Sequence, residues 1–120
     1  MSDRQIPVLG ATVVPEGVRF DVWAPDAKTV EVVIEGTSAP VSMTSTASGF
    51  FACIVESIGA GARYRFSIDG GDPLPDPCSR FQPEGVHDAS EVVDPNAFEW
   101  TDDEWRGVTL DGQVIYELHV

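Results

Sequence analysis

The chain has 120 residues, 42% of them hydrophobic and 9% aromatic, which suits one globular domain with a real core. Twenty acidic residues stand against seven basic ones, giving a formal net charge of −13. That balance argues against nucleic acid and anionic membrane surfaces as partners, because both are bound through basic surfaces. No stretch approaches the roughly 18 consecutive apolar residues of a membrane-spanning helix.

Residues 1–14 show no basic region followed by an apolar run, so we expect no secretory signal and a cytoplasmic protein. Cys53 and Cys78 have neither metal-type nor redox spacing, and two free thiols are the expected state in a reducing compartment. The sequence alone leaves a disulfide between them open. His87 and His119 also lack ligand spacing, so we expect no metal site and no cofactor.

The first predicted strands show strict alternation of apolar and polar side chains. Residues 18–23 place three apolar side chains on one face and Arg19, Asp21 and Trp23 on the other. After a proline-containing turn, residues 28–35 repeat the alternation. Each strand is therefore expected to bury one face and expose the other.

Two further strands follow. Residues 50–56 are apolar on both faces, which is typical of a central strand. Residues 62–69 alternate again, and residues 69–71, Asp-Gly-Gly, predict a hairpin-type turn. Five or more short strands without helical periodicity predict an all-β fold, an antiparallel β-sandwich of immunoglobulin type.

Residues 75–95, the strap, read PDPCSRFQPEGVHDASEVVDP. They contain four prolines and show almost no strand or helix periodicity. Loops of this length inside a compact domain are uncommon and are often functional. Because the strap carries four apolar side chains, we expect it to dock on a surface outside the sandwich. They are Phe81, Val86, Val92 and Val93.

The last part of the chain predicts a change of domain. Residues 96–112 are acidic, contain tryptophan and are expected to form a linker. Residues 113–120, QVIYELHV, show an apolar strand pattern with no polar tail. We therefore expect residues 1–95 to form the sandwich with its strap, and residues 113–120 to begin a truncated second domain.

Three segments carry a family resemblance: FDVWAPDAKTVEVVIEG, GARYRFSIDG and VIYELHV. They resemble the N-terminal modules and first barrel strand of α-amylase-superfamily enzymes, glycoside hydrolase family 13. In these enzymes an early-set immunoglobulin-like sandwich, carbohydrate-binding module family 48, precedes a (β/α)8 catalytic barrel. The strap narrows the resemblance to the malto-oligosyltrehalose trehalohydrolase family. Asp88 departs from the glycine expected there, and Cys78 from a small alanine-like residue.

This resemblance implies an enzyme that releases trehalose from maltooligosyl trehalose, by a retaining mechanism with two carboxylates. Those carboxylates lie at the ends of later barrel strands, so the chain is expected to be non-catalytic and to act by docking on its own barrel. Two alternatives remain open. The chain could be an autonomous α-glucan-binding module, or the N-terminal module of a branching or debranching enzyme.

The resemblance also supplies candidate site residues. Trp23 and Arg65 match an aromatic and a basic residue that glycogen-binding relatives use, which implies contacts to α-1,4-glucan oligosaccharides. A third matching position, aromatic in such binders, is Asp72 here, so half of the sugar platform is missing. The acidic run at residues 102–104 is interpreted as solvated charge. Residues expected to dock on the barrel are Asp76, Arg80, Phe81, Trp100, Trp105 and Tyr116.

Overall fold

A computed structural model describes residues 8–120. It contains eight β-strands and one 3₁₀ turn among these residues. The strands are β1 Gly10–Val14, β2 Gly17–Trp23, β3 Val30–Ile34, β4 Val41–Ser42, β5 Thr44–Ser45, β6 Phe50–Glu56, β7 Arg63–Ile68 and β8 Ser90–Glu91, and the 3₁₀ turn is Pro95–Ala97. No helix in this part of the chain is long and apolar enough to cross a membrane.

The strands form two four-stranded antiparallel sheets. Sheet A has the order β1-β2-β6-β5, and sheet B has the order β4-β3-β7-β8. The chain passes from sheet B to sheet A at the buried residue Met43, whose backbone N–H donates to the carbonyl of Val30 at 2.9 Å. This architecture confirms the predicted immunoglobulin-like β-sandwich.

The core lies between the two sheets. Alternate residues of the strands point into it, as the sequence pattern predicted, and among the most completely buried are Val18, Phe20 and Val32. Phe20 meets the ring of Tyr64 edge-on, with ring centroids 4.8 Å apart. Such edge-to-face pairs add about 1 kcal/mol beyond simple burial.

Asp21 differs from the expectation of an exposed polar face. It lies on the outer face of β2, as predicted, but is buried because the guanidinium of Arg19 covers it. Arg19 Nε and Nη2 donate to the two carboxylate oxygens at 2.7 and 2.8 Å. A bidentate pair of this kind satisfies the buried carboxylate and removes it from solvent.

The predicted turn after β7 is confirmed. Asp69 has φ +51°, and its Oδ1 accepts the backbone N–H groups of Lys28 and Thr29, each at 2.8 Å. After the turn, Leu74 exchanges two backbone hydrogen bonds with Phe66, each 2.8 Å long. The chain thus runs back along β7 and enters the strap beside sheet B.

Much of the strap belongs to the sandwich, which corrects the expectation that it docks elsewhere. Asp76, Ala89 and Ser90 are buried, and Val92 is only 1% exposed. β8 lies within the strap and extends sheet B beside β7. The correction has a simple cause: a strand of two residues is too short to show any period in the sequence.

Residues 98–120 contain no helix or strand in the structure. The predicted strand at residues 113–120 is not formed, since a strand persists only when a neighbour pairs with its backbone. The large apolar side chains of this segment, called the tail, are all at least 64% exposed. They are Phe98, Trp100, Trp105, Val108, Leu110, Val114, Ile115, Tyr116, Leu118 and Val120.

Candidate functional site

Trp23 stands at the end of β2, beside an apolar groove of about 290 Å³. Its side chain is 55% exposed, and its Nε1–H donates to the carbonyl of Ser48 at 3.2 Å. The groove is lined by Val22, Trp23, Ala24, Phe66, Ile68, Leu74, Pro75 and Pro77. Because the indole donor already has a partner, the groove offers an apolar surface with few groups for a sugar hydroxyl.

Arg65 lies on β7, in the other sheet, and points away from the core. Its Nη2 pairs with Oδ1 of Asp88 at 3.3 Å, so a strap carboxylate occupies the guanidinium. The Nε of Arg65 is buried and has no hydrogen-bond partner within residues 8–120. The predicted sugar contact is therefore engaged inside the chain.

Trp23 and Arg65 lie on different sheets and have different partners. Trp23 ends β2 of sheet A and donates to Ser48, whereas Arg65 lies on β7 of sheet B and pairs with Asp88. The groove beside Trp23 is lined by Phe66 and Ile68 of β7 but not by Arg65. Asp72, at the third matching position, is exposed in the turn after β7 and supplies no aromatic ring.

Arg63 is a charged residue of this region that was not singled out from the sequence. It lies two residues before Arg65 on the same outer face, and pairs with Glu84 at 3.2 Å and with Glu91 at 3.4 Å. Arg63 and Glu91 are directly opposite in the β7–β8 register. The available signal was the spacing of two arginines on one strand face, with acidic residues in the following strap.

Asp76 is only 3% exposed and forms a polar centre inside the module. Its carboxylate accepts the hydroxyl of Tyr64 at 2.6 Å and the backbone N–H of Cys78 at 2.8 Å. Its own backbone N–H donates to Oγ of Ser90 at 3.1 Å. Burial raises the pKa of Asp76, although these hydrogen bonds partly oppose the shift, and burial also raises the pKa of Tyr64.

Arg80 connects the strap to β1 of sheet A by hydrogen bonds. Its Nη1 donates to the carbonyl of Ala11 at 2.8 Å, and its Nη2 to that of Leu9 at 3.4 Å. Gly10, with φ +97°, lies directly beneath: a Cβ there would sit 2.9 Å from Arg80 Nη1 and 3.0 Å from the carbonyl oxygen of Cys78. Glycine is thus required both by conformation and by space.

The six residues predicted to dock on a barrel fall into two groups. Asp76 and Arg80 make their contacts inside the module, so their side chains are committed there. Phe81 is 47% exposed on the strap, while Trp100, Trp105 and Tyr116 are exposed on the tail. Only this second group has side chains available to another domain.

The two cysteines are free thiols. Cys53 is partly buried on β6, where burial, aided by the charge of Asp21, raises the pKa of its thiol to about 11. A thiol with that pKa is almost wholly protonated at neutral pH and is a poor nucleophile. Cys78 is exposed on the strap.

Comparison with known proteins agrees with this architecture. A solved structure from Salmonella typhimurium, assigned as an α-amylase, superposes on this chain with a TM-score of 0.77 at 30% identity. That match covers 87% of this chain and 18% of the Salmonella protein.

Two curated relatives are similar in sequence. Malto-oligosyltrehalose trehalohydrolase of Deinococcus radiodurans is 46% identical over 114 residues, covering 93% of this chain. The 1,4-alpha-glucan branching enzyme GlgB of Corynebacterium jeikeium is 39% identical over 127 aligned positions, covering 94% of this chain. This chain spans 18% of the length of each relative.

The family profile that matches is carbohydrate-binding module 48, described as the isoamylase N-terminal domain, over residues 8–97. This range contains all eight strands, the strap and the 3₁₀ turn, and it ends where the tail begins. The match therefore coincides with the folded sandwich. The chain belongs to the carbohydrate-binding module 48 family.

Proposed function

We propose that the chain is the N-terminal, non-catalytic module of a glycoside hydrolase family 13 enzyme that releases trehalose from maltooligosyl trehalose. The trehalohydrolase of Deinococcus radiodurans supports this choice, because it is the more similar of the two relatives described. The partner that we propose is the enzyme's own (β/α)8 barrel. The module would act mainly by docking on that barrel.

The exposed apolar surface of the tail carries the docking proposal. Ten large apolar side chains between residues 98 and 120 lie mostly in solvent. So many exposed large apolar side chains mark an interaction site, because exposing them to water is unfavourable. We propose that residues 96–112 link the two domains and that residues 113–120 form the first barrel strand once neighbouring strands pair with them.

Activity of the full-length gene product tests the proposed function. We expect it to release trehalose from maltooligosyl trehalose, whereas the 120-residue chain alone releases none. Trehalose can be measured by chromatography of the reaction products. A full-length product that instead transfers glucan chains to form α-1,6 branches would overturn the assignment and favour the branching-enzyme alternative, which the similarity to the Corynebacterium jeikeium enzyme supports.

Docking is tested separately by Trp100→Ala and Trp105→Ala together. In the full-length protein we expect this pair of substitutions to lower the melting temperature and trehalose release. In the 120-residue chain both side chains are already exposed, so we expect no change in stability. Equal effects in both proteins, or no effect in either, would contradict the docking role.

Autonomous α-glucan binding is the second candidate function, favoured by the exposed ring of Trp23 beside its groove. Titration of the 120-residue chain with maltoheptaose tests it by amide shifts in NMR spectra. Saturable shifts centred on Trp23 at millimolar sugar would establish binding and refute a role limited to docking.

We also propose a cytoplasmic location, which the two free thiols support.

A further inference from the structure

The outer face of β7 carries two arginines, and strap carboxylates occupy both. Arg63 pairs with Glu84 and Glu91, and Arg65 pairs with Asp88, at distances of 3.2 to 3.4 Å. Three acids thus neutralise two bases. The strap fills, from within the chain, a basic surface that would otherwise face solvent.

The loop that presents Asp88 is held by its own hydrogen bonds. Gln82 Nε2 donates to the carbonyls of Val86 at 3.1 Å and Asp88 at 3.4 Å. The backbone N–H of Asp88 donates to the carbonyl of Gly85 at 3.1 Å. Because these bonds do not involve the Asp88 carboxylate, its position does not depend on the ion pair, and neutralising it should leave the loop in place.

We infer that Asp88 is a specificity-determining residue that closes the outer face of β7 to carbohydrate. This inference rests on the proposed function, in which the module docks on a barrel and does not bind sugar. A carboxylate is a better partner for a guanidinium than a neutral sugar hydroxyl is, because it carries the opposite charge and can accept through two oxygens. The carboxylate is also tethered, so a dissolved sugar competes against a high effective concentration.

The experiment compares Asp88→Ala with Glu84→Ala in the 120-residue chain. Each substitution removes one exposed carboxylate together with its hydrogen-bond acceptors, but only the first frees Arg65. Maltoheptaose is titrated while amide shifts of residues 63–67 are followed by NMR. A single hydrogen bond to a charged group corresponds to at least about tenfold in affinity.

We expect the Asp88→Ala variant to be half-saturated at a sugar concentration at least about tenfold below that of the wild type. Glu84→Ala should behave like the wild type, and adding Arg65→Ala to Asp88→Ala should abolish the gain. An unchanged titration in Asp88→Ala, an equal gain in Glu84→Ala, or a gain that survives Arg65→Ala would overturn the inference. Trehalose release by the full-length product tests the proposed function independently, so the two can fail separately.

Discussion

Replacing Asp76 by alanine should destabilise the module strongly. The substitution removes the acceptor of the Tyr64 hydroxyl and of the Cys78 backbone N–H, which bond to Asp76 at 2.6 and 2.8 Å. A buried donor left without a partner costs about 1–3 kcal/mol, and relief of the buried charge offsets part of the total. We expect a net loss of about 3 kcal/mol, a large share of the roughly 5–15 kcal/mol of a typical domain.

Asp76→Asn is the matched control. The asparagine carbonyl can accept the Cys78 N–H, and its amide can donate to the Tyr64 oxygen, so only the Tyr64 hydroxyl proton loses its acceptor. We expect this variant to lose about 1–2 kcal/mol, less than Asp76→Ala. Urea unfolding at pH 7, followed by far-ultraviolet circular dichroism, measures both variants. This signal reports the sheets, whereas tryptophan fluorescence would include the exposed Trp100 and Trp105.

Two results would refute this reasoning. If Asp76→Ala stayed within about 0.5 kcal/mol of the wild type, the Tyr64–Asp76 bond would not be a structural anchor. If Asp76→Asn cost as much as Asp76→Ala, the charge itself would be required, contrary to the raised pKa that burial gives this group. The first outcome would separate Asp76 from the stability of the sandwich, and the second would replace its hydrogen bonds by its charge as the stabilising factor.

Three further predictions concern pH and packing. The folded-state pKa of Asp76 is raised, so the contribution of its protonation to stability is fully present below the unfolded value of about 3.9 and is lost as pH rises through the folded value. The wild type should therefore gain stability relative to Asp76→Asn on acidification from pH 7 to pH 4. A constant difference between the two in urea unfolding would contradict this. Val92→Ala should cost about 2 kcal/mol in urea unfolding, while the exposed Val86→Ala should cost almost nothing, and equal effects would count against a strap packed in the core. Gly10→Ala should lower stability by about 2 kcal/mol. Gly36→Ala is the control, because Gly36 also has a positive φ but a Cβ there would meet no atom within 4 Å. The same loss of stability in both variants would show that the contact with Arg80 is unimportant.

The sandwich could be predicted because its long strands carry a period of two over five or more residues. Val18, Phe20 and Val22 are buried, as their alternation required. The hairpin turn at Asp69 was equally readable, since its glycines follow an alternating strand. Where local pattern and tertiary packing agree, sequence reasoning identified both the element and its buried face.

The strap could not be placed in the same way. Asp76 is an acidic residue between two prolines, which indicates an exposed loop, yet it is buried because Tyr64 supplies a partner twelve positions away. Asp88 was noticed only as a departure from glycine, and its pairing with Arg65 depends on how the strap folds back over β7. Neither pairing has a local signature, because each depends on tertiary contacts between separate segments.

The Arg80 contact bears on how the module behaves beside other copies of itself. β1 is one of the two edge strands of sheet A within residues 8–120, and an edge strand presents free carbonyl and N–H groups on which another chain can extend the sheet. Arg80 occupies the carbonyls of Leu9 and Ala11 at that edge, and the strap backbone lies over Gly10. The segment that completes sheet B with β8 therefore also blocks strand addition at the start of β1, protecting the module against edge-to-edge aggregation.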